Sequence, residues 1–369
     1  MPACLTPAQL ARDLAIPDLS DPSDGPHAIQ QLAELAVTAL TRAWGCPARW
    51  YRGSRIVTVA DNYDRLGYDP GDVTRNARYT RYVDDLRMLR SHSTAMIPAA
   101  LRQLASAPPD DVLLACPGIS YRRDAIDWQH TATPHQLDLW RISRRPLGEA
   151  DMDQMIGLLL GALAPERPSR QEPRRHPYTS SGRQVDVAHD GDWVEVWECG
   201  TADPGVLSGA GLPGHCGLAL GLGLDRLLML RKGIPDIRLL RSADSRIAGQ
   251  MRDLAPYQPV SAMPAIRRDL SVAVDPGADE QTLGDQIRDS LGPDAECVQD
   301  VAILSSTPCE DLPQAAAERL GARPGQCNLL VRVVLRHLER TLTGDEANTL
   351  RDSIYAAIHL GARHQWAGR

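Results

Sequence analysis

Apolar positions between His27 and Trp44 fall in one stripe, Leu32, Leu35, Ala36 and Leu40, and this spacing predicts an amphipathic helix. An earlier helix is expected to open at Thr6-Pro7, with proline in its first turn, and the breaker-rich stretch from Asp18 to Pro26 separates the two. Further on, Ala95 to Leu104 reads as an apolar helix, Val112 to Cys116 as a strand, and Pro117-Gly118 as a turn. His135 to Ile142 alternates, with His135, Leu137 and Leu139 on one face and Gln136, Asp138 and Trp140 on the other. A helix from Asp151 to Ala164 leads into an arginine-, proline- and glutamate-rich stretch, to residue 175, read as an exposed loop. His176 to Thr179, Gln184 to Val187 and Trp193 to Gly200 alternate as antiparallel strands with one buried face. If that alternation holds, Glu198 points the same way as Val194 and Val196, into the interior, whereas a strand-end bulge would turn it to solvent. A short helix from Ala243 to Leu254 reaches a boundary near residue 256.

Beyond it, strands are expected at Pro264 to Val274, Val298 to Leu304 and Asn328 to Arg336, with helices at Asp279 to Leu291 and Thr343 to Leu360. With a last short strand after the closing helix, this order makes a ferredoxin-like split unit. The expected organisation is a helical region over 1–55, an α+β domain over 56–256 and a ferredoxin-like domain over 257–369.

Composition sharpens the picture in a few places. A hydrophobic share of 43% and a charged share of 24% are those of a globular protein, and no apolar run reaches membrane-spanning length. Eight scattered cysteines form no C-x-x-C and stand at no metal spacing from histidine, so they read as reduced thiols. Asp13, Asp18, Asp21 and Asp24 argue against a secretory or transit signal, which makes a cytoplasmic location the expectation. One lysine, Lys232, stands against 39 arginines, as GC-rich codon choice would give. Phenylalanine is absent, where ordinary usage would supply roughly a dozen. A chain without phenylalanine codons is translatable when the tRNA charged with phenylalanine is scarce, and it also escapes incorporating a product mischarged onto that tRNA. Codon bias with drift gives the same composition, and the protein's level under phenylalanyl-tRNA depletion tells these readings apart.

The candidate chemistry lies in three stretches. From Gly217 to Leu230, three glycines (Gly217, Gly221, Gly223) alternate with apolar residues and Asp225-Arg226 follow. Alternate glycines strip one strand face of side chains, so a flat ligand can lie on the backbone, and an arginine at the end can reach a phosphate. A small-residue strand packed under a helix would read the same way. The two common nucleotide loops, G-x-x-x-x-G-K-[ST] and G-x-G-x-x-G, are absent here. At Arg90 to Thr94 the cluster R-S-H-S-T opens a helix, which suits either an anion site or an ordinary cap. Between Tyr121 and His135, Arg122-Arg123-Asp124, Asp127 and His130 line a loop between two strands, a nucleotide cradle or a solvated hairpin.

Together these stretches resemble class II aminoacyl-tRNA synthetases. G-L-A-L-G-L-G-L-D-R with the following K-G-I-P-D-I-R is similar to the third signature motif of the phenylalanyl-tRNA synthetases. Y-R-R-D-A-I-D-W-Q-H and H-Q-L-D are similar to the second motif, and L-R-S-H-S-T to the segment that holds the amino acid. P-A-I-R-R-D-L-S and R-H-L-E-R-T-L-T resemble the anticodon-binding domain of single-chain, mitochondrial-type members, so the resemblance runs over roughly residues 50–365.

It implies the class II antiparallel sheet flanked by helices, with ATP and Mg²⁺ as cofactors and no metal ligand identified. Arg122 would lie on the α-phosphate and Arg226 over the adenine and phosphate end, both stabilising the transition state. Asp124, His130, Gly221 and Gly223 would also border ATP. His92 and Thr94 would hold the amino acid, Gln136 and Asp138 would face its amine, and Ala219 would line its pocket. His176 and Tyr178 stand where most members carry two phenylalanines in F-P-[FY], and Glu198 stands in place of a glycine. The resemblance implies that the first departure falls where members grip the aromatic ring of the substrate.

The residues from Tyr257 onward carry eleven arginines and no lysine against sixteen acidic residues, a net charge of −5 on a chain whose own net charge is −7. A domain that grips tRNA phosphates is expected to be basic. Three readings stay open: a phenylalanyl-tRNA synthetase, a paralogue activating a polar or substituted amino acid, and a catalytically silent RNA-binding or regulatory relative. A monomer or homodimer, a substrate amino acid with an aromatic ring, a tRNA partner and no membrane partner complete the expectation.

Overall fold

The computed structural model of the chain describes residues 4–76, 79–260 and 263–363. The backbone divides into two units. One is formed by the chain up to Arg122, Thr133–Ile234 and Gly249–Tyr257; the other by Arg123–Ala132, Pro235–Ala248 and the chain from Gln258 onward.

In the first unit, helices α1 (Pro7–Leu14) and α2 (Ala28–Trp44) precede strand β1 (Ala48–Trp50). Next come β2 (Ile56–Thr58), a short helix α3 (Val59–Asn62), β3 (Arg87–Leu89), α4 (Ile97–Ala105), β4 (Asp111–Ile119), β5 (His135–Ser143) and α5 (Glu149–Leu163). The unit continues through β6 (Ser169–Pro173), β7 (Thr179–His189), β8 (Asp192–Ala202), α6 (Pro204–Gly209), β9 (Cys216–Gly223) and α7 (Leu224–Lys232). Seven strands form one sheet in the order β1-β4-β5-β9-β8-β7-β6, antiparallel except where β1 runs parallel to β4. Leu137, Leu139, Leu220 and Leu222 on its back face are fully buried, each contributing about 2 kcal/mol on burial, and α7 packs against β5 and β8.

Local chemistry explains where these elements start and stop. Thr6 and Gln9 close a capping box at α1, and Gly45 ends α2 in the left-handed region at φ 65°. Asp190 (φ 49°) and Gly191 (φ 91°) form the tight turn between β7 and β8, as a two-residue hairpin requires.

Four expectations need correcting. Pro117-Gly118 is not a turn but lies inside β4, opposite Leu137 and Gln136. The N–H groups of Leu113 and the carbonyl of Ala115 face β1, which ends at Trp50, so by alternation Pro117 faces an unpaired edge where no donor is needed. His176 to Tyr178 forms a turn ahead of β7 rather than a strand. The stretch read as an exposed loop supplies β6, exposed as expected but paired along β7. In β8 a bulge opposite Val185 and Asp186 inverts the alternation. Glu198 therefore shares the face of Glu195, not that of Val194.

The breaker-rich N-terminal stretch is also built into the unit. The buried Asp18 carboxylate accepts from Ile119 N–H at 3.0 Å and from the Ser20 hydroxyl at 2.6 Å. His135 accepts from Leu19 N–H at Nε2 (3.1 Å) and meets the Asp225 carboxylate through Nδ1 at 2.8 Å. Asp225 accepts from His135 N–H as well, which ties the start of α7 to the start of β5.

The helix α8 (Ser245–Gln250) is followed by the elements of the second unit, β10 (Ile266–Val274), α9 (Glu280–Leu291), β11 (Val298–Pro308), α10 (Gln314–Leu320), β12 (Cys327–Leu335) and α11 (Gly344–Ile358). Its sheet is antiparallel in the order β10-β12-β11, and α9 and α11 close over Leu270, Val272, Val331 and Val333. The expected last strand is reduced, among the described residues, to one bond beside β10, from Leu360 N–H to Ala273 carbonyl at 2.8 Å. Arg123–Ala132 belongs to this unit. Ile126 enters its core, Val301 N–H donates to Ile126 carbonyl at 2.9 Å, and Arg123 pairs with Asp285 at 2.8 Å.

Candidate active site

Directly opposite residues of antiparallel strands share a face, so the register draws the front of the first sheet. One row runs Cys116, Asp138, Gly221, Glu198, Gln184 across β4, β5, β9, β8 and β7. A parallel row holds Trp140, Ala219 and Gly200, and Gln136 stands opposite Gly223. Helix α4 covers the Trp140–Ala219 end: Met96, Ile97 and Leu101 pack there, so Ala219 lies in the core at the pocket's base. Above Gly221 the floor is open. A Cβ built there would meet one group within 4 Å, the Asp138 carboxylate at 3.9 Å, and at Gly223 one built the same way would meet the Val196 carbonyl at 3.8 Å. Gly200 is the reverse case, since a Cβ there would lie 2.1 Å from the Ser181 carbonyl. The segment carrying Arg174, His176 and Tyr178 crosses closely at this end.

A polar cluster occupies the side of the floor next to β5. Asp138 is 2% exposed and accepts from the Ser93 hydroxyl and, within reach, that of Thr94. Burial pushes its carboxyl up to about 6, although these hydroxyls pull the other way. Gln136 uses Oε1 twice, accepting from Ser93 N–H at 3.2 Å and the Ser120 hydroxyl at 3.0 Å. What Gln136 offers outward is therefore its Nε2 amide, a donor, which suits a carboxylate or phosphate oxygen better than an ammonium. His92 is pushed down to about 3, first by burial and then by the charge of Arg122, so it stays neutral. Its Nε2 lies 3.4 Å from Asn62 Nδ2, while its Nδ1 is buried without a partner among the described residues. The Arg90 guanidinium fixes this segment by donating to Ile119 carbonyl at 2.6 Å and Gly53 carbonyl at 3.2 Å.

Aromatic and charged groups stand at the far side. Tyr178 stacks on His176 with ring centres 5.2 Å apart, and lies 6.0 Å from Trp140 and 6.4 Å from Tyr68. Burial raises the hydroxyls of both Tyr68 and Tyr178. Glu198 neither turns to solvent nor stands alone: its Oε1 meets Arg174 Nε at 2.9 Å and its Oε2 meets His176 Nε2 at 2.8 Å. Burial alone would push this carboxyl up, but His176 and Arg174 together hold it below its usual value.

Arg122 donates from Nε to Ser91 carbonyl at 2.9 Å, which anchors its stem beside His92. Arg226, two residues into α7, reaches Glu195 carbonyl at 3.4 Å. Asp124 and His130 belong to the second unit. There Asp124 accepts from Ala125 N–H at 2.9 Å, and Asp127 orients His130 through Nδ1 at 2.6 Å. Arg288 holds the same segment through the carbonyls of Asp124 and, at 2.6 Å, Ala125.

The first unit thus brings His92, Thr94, Gln136, Asp138, His176, Tyr178 and Glu198 to the sheet front. Sequence reasoning passed over Ser93 and Ser120, which orient Gln136 and Asp138, and Tyr68 and Arg174, which border the aromatic end. Ser93 carried a signal, because it lies inside R-S-H-S-T; Tyr68 carried none. Among the described residues no group of three or more His, Cys, Asp and Glu side chains is placed to hold a metal ion, and no helix is long and apolar enough to cross a membrane.

Comparison with known proteins follows the same face. Residues 23–251 match the family model described as tRNA synthetases class II core domain (F). The chain is 34% identical over 208 residues to the phenylalanine–tRNA ligase alpha subunit of Prochlorococcus marinus (strain MIT 9313), covering 56% of this chain and 61% of that one. It is 27% identical over 361 residues to a probable mitochondrial phenylalanine–tRNA ligase of Drosophila melanogaster, covering 82% of this chain and 75% of the relative. The chloroplastic/mitochondrial phenylalanine–tRNA ligase of Arabidopsis thaliana is 27% identical over 315 residues, with shares of 82% and 68%. Against two Prochlorococcus alpha subunits the chain spans 61% and 58% of their length. By its sheet, its motifs and these relatives, the chain belongs to the class II tRNA synthetases and is phenylalanyl-tRNA synthetase-like.

Proposed function

We propose that this chain activates an aromatic amino acid with ATP to an aminoacyl-adenylate and transfers it to tRNA. The carrying observation is that an open glycine floor, a buried carboxylate with donors around it, and two arginines at the margin belong to one sheet front. Ionised Asp138 holds the α-ammonium. The Gln136 amide, aimed by Ser93 and Ser120, donates to the carboxylate or to the phosphoryl oxygen it attacks. Neutral His92 borders the amino-acid end without adding a charge there. Arg122 and Arg226 neutralise the charge that grows on the α-phosphoryl oxygens as the carboxylate adds and pyrophosphate leaves. Mg²⁺ would arrive with ATP, since Mg²⁺ is commonly held through substrate phosphates. A ribose hydroxyl of tRNA then attacks the adenylate carbonyl, forming the ester as the anhydride bond breaks and AMP leaves.

The domain division at residue 257, a cytoplasmic setting with reduced thiols, and a monomer or homodimer belong to the same reading. A silent regulatory relative is disfavoured by the intact set of Arg122, His130, Gln136 and Arg226. Incubation with Mg·ATP, total bacterial tRNA and a set of aromatic amino acids tests the proposal. A charged 3′-end detected by periodate protection is expected. Unprotected tRNA with every amino acid would refute the transfer step.

A further inference from the structure

Three groups on the sheet front have no part in the chemistry just described: Glu198, His176 and Arg174. We propose that they form a specificity subsite for a hydrogen-bond donor on the substrate's aromatic ring, so that the substrate class is hydroxy- or amino-substituted phenylalanines rather than phenylalanine. The inference rests on the aromatic amino-acid reading above and goes one step beyond it.

The geometry carries it. Asp138 and Glu198 are partners of the same residue, Gly221, on its two sides. Two strand spacings of about 4.8 Å each set them apart, and the glycine between them leaves the floor clear. An α-amino acid with a substituted phenyl ring spans such a gap, ammonium on one carboxylate and ring substituent on the other. The Glu198 side chain is 20% exposed, as is that of His176. Glu198 accepts one donor on each oxygen, Arg174 and His176. A carboxylate offers about four acceptor sites, so about two remain for a ligand. His176 is also the ring on which Tyr178 stacks, so the group that aims Glu198 is a wall of the aromatic slot. A plain phenyl edge laid against this carboxylate would strip its remaining water and return no hydrogen bond. A ring hydroxyl or amine would return one. Sites built on such pairing reject the analogue that lacks the donor by as much as about 10⁴-fold; here two acceptor sites are already filled, and a smaller factor, at least about 100-fold, is expected.

The test is ATP–pyrophosphate exchange by the full chain with phenylalanine, tyrosine, meta-tyrosine, 3-aminophenylalanine and 4-aminophenylalanine. The expected result is a kcat/KM for at least one donor-bearing ring about 100-fold or more above that for phenylalanine. Glu198→Gly is expected to reverse the order by raising exchange with phenylalanine, a gain that a damaged fold cannot produce. Glu198→Gln, which keeps the volume and removes the charge, is expected to narrow the ratio between the amino-substituted rings and phenylalanine, because the neutral amide accepts more weakly and costs less to desolvate. Preference for phenylalanine by the unaltered protein, or an unchanged ratio in Glu198→Gly, would overturn the subsite while leaving amino-acid activation intact. Exchange with none of the amino acids would overturn the activation reading, and the subsite with it.

Discussion

At the scale of single residues, Asp138 is a carboxylate whose charge is opposed by burial. Its carboxyl is raised from 3.8 to about 6 by burial. Between about pH 4 and 6 the folded chain keeps this proton while the unfolded chain releases it, so stability falls as pH rises through that window, by about 3 kcal/mol in all. In the proposed role, an ammonium beside the carboxylate would relieve that cost and give the site affinity for an amino acid. KM for the amino acid is therefore expected to rise as pH drops from 7 to 5, because protonated Asp138 loses its attraction. Asp138→Asn should show a high KM that is flat over this range, and its denaturation midpoint should vary less between pH 4 and 6. A pH profile of KM that survives the substitution would count against Asp138 as the ammonium ligand. Much at this scale was legible in the sequence: alternation put Gln136 and Asp138 on one face, and R-S-H-S-T flagged the donors beside them. Arg174 was not, because an arginine in a polar stretch looks the same whether it faces solvent or Glu198. Nor was the donor polarity of Gln136, which depends on Ser93 and Ser120 reaching it from two other segments.

At the scale of elements, the glycines of the sheet divide into two kinds that the sequence cannot separate. Gly221 is open floor, Gly200 is a close backbone crossing. Gly221→Val is expected to fold with a melting temperature near that of the unaltered chain and to lose exchange activity by 10-fold or more, roughly the effect of displacing a ligand by 1 Å or so. Gly200→Ala should instead destabilise by about 2 kcal/mol, because its Cβ would overlap the Ser181 carbonyl. Equal stability losses in a thermal melt would contradict the division into floor and crossing. The β8 bulge is the other feature that periodicity missed. One inserted residue exchanges faces for everything after it, so Glu198 arrives on the site front although strict alternation sends it elsewhere. The longer helices and most of the longer strands were readable from period and capping, while β1, β2, β3, β6, α3, α6 and α10 were not. The bulge, the strand through Pro117-Gly118 and the docking of Ile126 in the second unit's core depend on partners distant in sequence.

At the scale of the whole chain, charge and composition bear on partners more than on fold. Its one lysine is not a surface group: Lys232 is buried at the end of α7, donating to the carbonyls of Asp253 (2.8 Å) and Ala255. Under the proposed function, the acidic second unit would hold tRNA phosphates through local arginines, of which Arg332 is already paired with Asp269 at 2.8 Å. Amino-acid-dependent ATP–pyrophosphate exchange, measured on the full chain and on Arg226→Ala, tests activation most directly. Exchange that needs an aromatic amino acid and falls about 10²–10³-fold in the variant is the result predicted, as when one preorganised charge-stabilising donor is removed. Exchange with no amino acid by the folded protein, or exchange that is indifferent to Arg226, would contradict the account.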